Sequence, residues 1–124
     1  MRLLIVLTGL IIGTGMSMAL SAADEGSTSG ELNDKCTYPK APSIPNGKTS
    51  TEDELLETQR RMKAYLAEGD KFIACLHRVE DAWSEEEKAE KESFVVMFHN
   101  RMVDDMNEVA DLFNTSVRAF KGRK

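Results

Sequence analysis

Three residues of the C-terminal half carry the donor atoms for a soft metal. His99, Met102 and Met106 follow i, i+3, i+7 spacing, which places an imidazole and two thioethers along one side of a helix. Such donors suit Cu(I). The same two methionines also fall on the regular apolar stripe of their segment, where flexible Met side chains fill gaps in a core. The expectation is therefore a chain without a cofactor, with His99, Met102 and Met106 as a soft-metal alternative. Haem would need the same His and Met as axial ligands, and the chain has no Cys-x-x-Cys-His attachment motif.

Other chemistry is hard to assemble. Cys75 and His77 are two apart, so a helix points them to different sides. Neither histidine follows an acid by three residues, which excludes the Glu-x-x-His di-iron pattern. Asp104, Asp105, Glu108 and Asp111 form an acidic face on one helix, and a solvated surface is its ordinary reading. There is no Gly-rich phosphate loop and no nucleophile–His–acid set. No enzyme is expected.

Cys36 and Cys75 are the two cysteines of the chain. They are too few for a zinc cluster and too far apart for a Cys-x-x-Cys redox pair. An intramolecular disulfide is the leading expectation, against two free thiols or an intermolecular bridge. Closing that loop would stabilise the fold by about 4 kcal/mol in the chain-entropy model.

Charge and compartment narrow the partners. The chain has 16 Lys+Arg against 21 Asp+Glu, a formal net charge of -5. That balance argues against nucleic acid, which needs clustered basic side chains. Residues 1–23 have a basic Arg2, an apolar run over 3–12 and a small-residue exit at Ser21-Ala22-Ala23. This is the pattern of a secretory signal peptide, with cleavage expected after Ala23 or one residue earlier and an uncleaved membrane anchor as the rival. A periplasmic location is expected, with membrane contact only through the signal peptide. Export to an oxidising compartment also favours the disulfide.

The elements that must position these residues follow from spacing. Residues 24–35 are polar and Gly/Ser-rich and read as a disordered linker. Residues 36–50 read as an extended arm. Pro39, Pro42 and Pro45 recur every third residue with Cys36 in phase, as one edge of a polyproline II helix requires, and Asn46-Gly47 signals a turn. Thr51 with Glu54 fits a capping box. Leu55, Met62, Leu66, Phe72, Ile73, Leu76, Val79 and Trp83, with Tyr65 beside them, then mark one face of a helix. Gly69 lies on that stripe and implies either a close neighbour or a break in the helix. Ser84 with Glu87 fits a second capping box. Val95, Phe98, Met102, Met106, Val109, Phe113, Val117 and Phe120 make the stripe of a second helix, with Gly122 available as a left-handed cap.

The expected fold is all-α. It is a two-helix antiparallel hairpin over about 52–82 and 85–121, with the polyproline-like arm tethered by the disulfide, and residues 51–122 as the hairpin unit. Helix 1 rises about 36 Å from Thr51 to Cys75. A polyproline arm from Cys36 to Gly47 spans about 34 Å. The arm can therefore run back along the helix and bring Cys36 to Cys75, with Tyr38 and Ile44 packed on the hairpin.

The arm Cys36-Thr37-Tyr38-Pro39-Lys40-Ala41-Pro42-Ser43-Ile44-Pro45-Asn46-Gly47 and the segment Ala74-Cys75-Leu76, preceded by Gln59 and Tyr65, resemble a group of small exported proteobacterial proteins of unknown function. Those have a Cys-x-x-Pro arm ending in Ile-Pro-x-Gly, then a long helix carrying the second cysteine. The resemblance covers about residues 36–80. It implies an exported helical protein with one disulfide, and no activity.

Helix 2 also carries Phe94, Val96, Met97, Val103 and Ala110 beside its main stripe, a wider apolar face than one hairpin partner covers. The function expected on these grounds is non-enzymatic binding of a protein partner of unknown identity, as an adaptor, inhibitor or chaperone-like clamp, with Phe94, Met97 and Val103 at the contact. A homodimer completing a four-helix bundle is one form of it.

Overall fold

The computed structural model describes residues 22–123, with side chains from residue 28 onward. Most of the expected signal peptide, residues 1–21, lies outside the described residues. Three helices follow one another: α1 (Ala22–Lys35), α2 (Glu52–Asp81) and α3 (Glu85–Gly122). The described residues contain no strand.

The long helices start where their caps place them. Thr51 Oγ1 accepts from the Glu54 N–H, and the Glu54 carboxylate accepts from the Thr51 N–H. This satisfies two otherwise free donors. At α3 only half of the expected box forms. Ser84 Oγ accepts from the Glu87 N–H at 3.2 Å, but the Glu87 carboxylate reaches back to the Ser84 hydroxyl at 3.5 Å and not to its backbone N–H, and its other oxygen lies 3.6 Å from Lys91 Nζ. The competing ammonium offers that carboxylate a charged partner. Gly122 does not form a left-handed cap, since it is still helical and no described glycine has positive φ.

α2 and α3 are joined by Ala82–Ser84 and run antiparallel. The pairings show this: Gly69 faces Met102 and Met106, Phe72 stacks edge-on with Phe98 at 6.3 Å, and His77 faces His99. α2 continues through Gly69 without a break. A β-carbon there would lie 2.6 Å from Met106 Sδ and 3.2 Å from Met102 Cε. Close packing, not a break, explains the glycine. The buried interior takes Phe72, Leu76, Val95, Phe98, Met102 and Val109 from the stripes the spacing marks, with Tyr65 beside them, Trp83 at the turn, and Leu32 and Cys36 from outside the hairpin; the stripe residues Met62, Leu66, Ile73, Val79 and Met106 pack against it partly buried.

Cys36 and Cys75 form a disulfide with Cα atoms 5.7 Å apart. From there the arm runs back between α2 and α3. Tyr38 packs edge-on against Phe72 at 4.9 Å and hydrogen-bonds to the Asp105 carboxylate. Ser116 Oγ donates to the Pro45 carbonyl at 2.7 Å. Tyr38 and Ile44 both pack against the core. The turn after Pro45 is held by Thr49 N–H to Asn46 O, Lys48 N–H to Asn46 Oδ1 and the buried Ser50 hydroxyl to Asn46 O.

The expectation of a disordered linker over 24–35 is corrected: α1 occupies it. The physical reason is anchorage at its far end. Leu32 is completely buried in the core, Glu31 lies 3.3 Å from Lys91 Nζ on α3, and the Cys36 N–H continues the helix by donating to Leu32 O. The fold therefore has a third helix docked at the turn end of the hairpin, beyond the two that spacing revealed.

Candidate functional site

The arm divides the hairpin into two unlike flanks. On α3 it touches Arg101, Asp105 and Ser116, and on α2 Phe72 and Cys75. At about 100° per residue these positions share one flank of each helix. Turning about each helix past the buried stripe leads to the other flank. There stand Leu66, Ile73 and His77 on α2, and His99, Val103 and Ala110 on α3. Apart from exposed His77, each is half-buried. None of the described arm contacts falls there.

The residues read as a soft-metal set are not presented together. Met102 is fully buried. Its methyl end and the thioether of Met106 both lie against Gly69. His99 stands at the rim with its Nδ1 3.4 Å from Asn100 Oδ1. Its ring meets that of His77 across the hairpin, with ring centres 5.7 Å apart and planes tilted by 59°. His77 Nδ1 lies 3.7 Å from Glu80 Oε2. Sequence reasoning paired each histidine with neighbours on its own helix. The register between helices, which decides that His77 meets His99, is not written in either periodicity. Among the described residues no three His, Cys, Asp or Glu side chains converge as metal ligands.

The three residues read as partner contacts also separate. Phe94 packs against the core from the arm's flank, Met97 is 50% exposed, and Val103 lies half-buried on the uncovered flank. By register Phe94 and Val103 are about 180° apart, so the set does not make one surface. Leu66 and Ile73 of α2 stand on the same flank as Val103.

Electrostatics mark the covered flank. Burial first, and then the hydrogen bond to Asp105, push the Tyr38 phenol above its usual range. Tyr65 is raised by burial and by the nearby Asp105 and Glu108 charges. Arg101 stacks over the Tyr38 ring at 5.3 Å. These groups hold the arm down. The depressions at the surface are shallow. One of about 360 Å³ lies beside the disulfide, and one of about 290 Å³ at the open end of the hairpin between Leu55, Leu56, Phe113 and Val117.

No described helix is long and apolar enough to cross a membrane. The chain matches no protein-family model, and comparison with the curated proteins and with solved structures returns no match either.

Proposed function

We propose that this chain is an exported, non-enzymatic binding module that holds a protein partner along the uncovered flank of its hairpin. The observation that carries the reading is the asymmetric cover. One flank is sealed by a disulfide-tethered arm and α1. The other leaves apolar side chains of both helices, Leu66 and Ile73 with Val103 and Ala110, half-buried in a row. A groove between two helices is a natural seat for the apolar face of a third. Export is supported by the N-terminal pattern and is compatible with the disulfide, and a periplasmic location is part of the proposal.

The test is site-specific photo-crosslinking in exporting cells. A crosslinker at Ile73 or Val103 is expected to yield a defined adduct with a second protein or a second copy of the chain. A crosslinker at Lys40, on the exposed side of the arm, is expected to yield none. Adducts equal at all three positions, or absent at Ile73 and Val103, would reject the reading.

A further inference from the structure

The geometry points to a divalent transition-metal site formed by His77 and His99 across the hairpin, which we propose takes Cu(II) or Zn(II). The two rings come from different helices, yet their centres are 5.7 Å apart. An ion bound about 2.0–2.1 Å from one nitrogen of each imidazole sets the ring centres roughly 5–6 Å apart. The observed separation lies within that range, so the spacing of the two rings matches that of a pair sharing one ion.

The surroundings of the rings choose the ligating atoms. Glu80 Oε2 stands 3.7 Å from Nδ1 of His77, and Asn100 Oδ1 stands 3.4 Å from Nδ1 of His99. Histidines that bind metals commonly turn the other ring nitrogen toward a carboxylate or amide oxygen, which fixes the tautomer and orients the ring. With an oxygen on each Nδ1 side, the two Nε2 lone pairs are left for the metal. Both residues are on the flank the arm does not cover, His77 exposed and His99 half-buried, so an ion can reach them. The protein provides two ligands, and water or an incoming ligand completes the coordination. Imidazole nitrogen suits Cu(II) and Zn(II), with Cu(II) the tighter of the two. The methionines take no part, because Met102 is buried and Met106 packs on Gly69.

An ion held by both helices binds the folded hairpin and not the unfolded chain, so it raises the melting temperature. The experiment uses the tag-free, oxidised chain and titrates CuCl₂, then ZnCl₂, against a chelating indicator, with melting curves in parallel. One ion per chain and a higher Tm are expected. His77→Ala and His99→Ala are each expected to weaken Cu(II) binding by at least about tenfold and to abolish the Tm shift. Met102→Leu and Met106→Leu are expected to leave both unchanged. The metal-free Tm of each variant establishes that it folds. No binding by the parent chain, or undiminished binding by the His77→Ala/His99→Ala double variant, would overturn the site. So would a loss caused equally by Met106→Leu.

Discussion

Gly47 shows how one hydrogen atom can fix an arm. The residue is buried, and a β-carbon there would overlap the Ser116 carbonyl oxygen on α3 and crowd the Phe120 nitrogen. Both are helix backbone and have nowhere to go. Gly47→Ala is expected to destabilise the fold by about 1–3 kcal/mol, read as a lower urea midpoint with unchanged slope. An unaltered midpoint would mean that the arm does not lie against α3. Tyr38 anchors the other end of the arm. Its folded pKa is raised, chiefly by burial, so its contribution is fully present below the unfolded value of about 10 and is lost as pH rises through the folded value. Tyr65 adds in the same direction. Stability should therefore fall above about pH 10, and Tyr38→Phe should make that fall shallower in denaturant titrations at pH 9 and pH 11. Asn46-Gly47 was legible as a turn. The reason the glycine cannot be replaced was not, because it lies in a helix some seventy residues away. Gly69 was the more readable case. Its place on the apolar stripe already offered close packing as one of two explanations, and Met106 decides between them.

At the scale of elements, periodicity found α2 and α3 because each has a long apolar stripe. Their observed ends, Asp81 and Gly122, lie one residue from the expected ones. The same logic missed α1. Among its described side chains the aliphatic anchor is Leu32, and Gly30 within it costs about 1 kcal/mol relative to Ala. A helix of 14 residues is marginal alone, so α1 owes its order to what it docks on. Leu32→Ala should release it. Hydrogen exchange at amides of 28–35 should rise sharply while α2 keeps its protection. Equal loss of protection in all three helices would show that α1 belongs to the same cooperative unit. Acid should act more weakly in the same sense. The hydrogen bond from Lys35, followed by the contacts from Lys91, holds the Glu31 carboxyl below its usual value. Its contribution is present above about pH 4.5 and is lost as pH falls through the lowered folded value.

Taken whole, the molecule meets the difficulty of a short chain by adding layers to one side. Two helices alone bury one stripe each and leave both flanks wet. The disulfide brings the arm and α1 onto one flank, and removing it should cost about 2–5 kcal/mol. Among the described residues the second flank has no such cover, and the proposed function assigns fold-building to one set of residues and binding to the other. Phe98 belongs to the first class, being 5% exposed and stacked on Phe72. Phe98→Ala should cost about 3–5 kcal/mol. Val103 is half-buried on the uncovered flank, where a lysine can lay its stem on the helix and keep its ammonium in water. Val103→Lys should change stability by less than about 1 kcal/mol, yet remove the adduct that a crosslinker at Ile73 forms. Thermal melts and crosslinking on the same two variants separate the two roles. If Val103→Lys unfolds the chain as Phe98→Ala does, the second flank is part of the core and not a docking surface. If it leaves both the melt and the adduct intact, the partner sits elsewhere. Only the combination of an intact fold with a lost adduct fits a hairpin sealed on one side so that the other can be used.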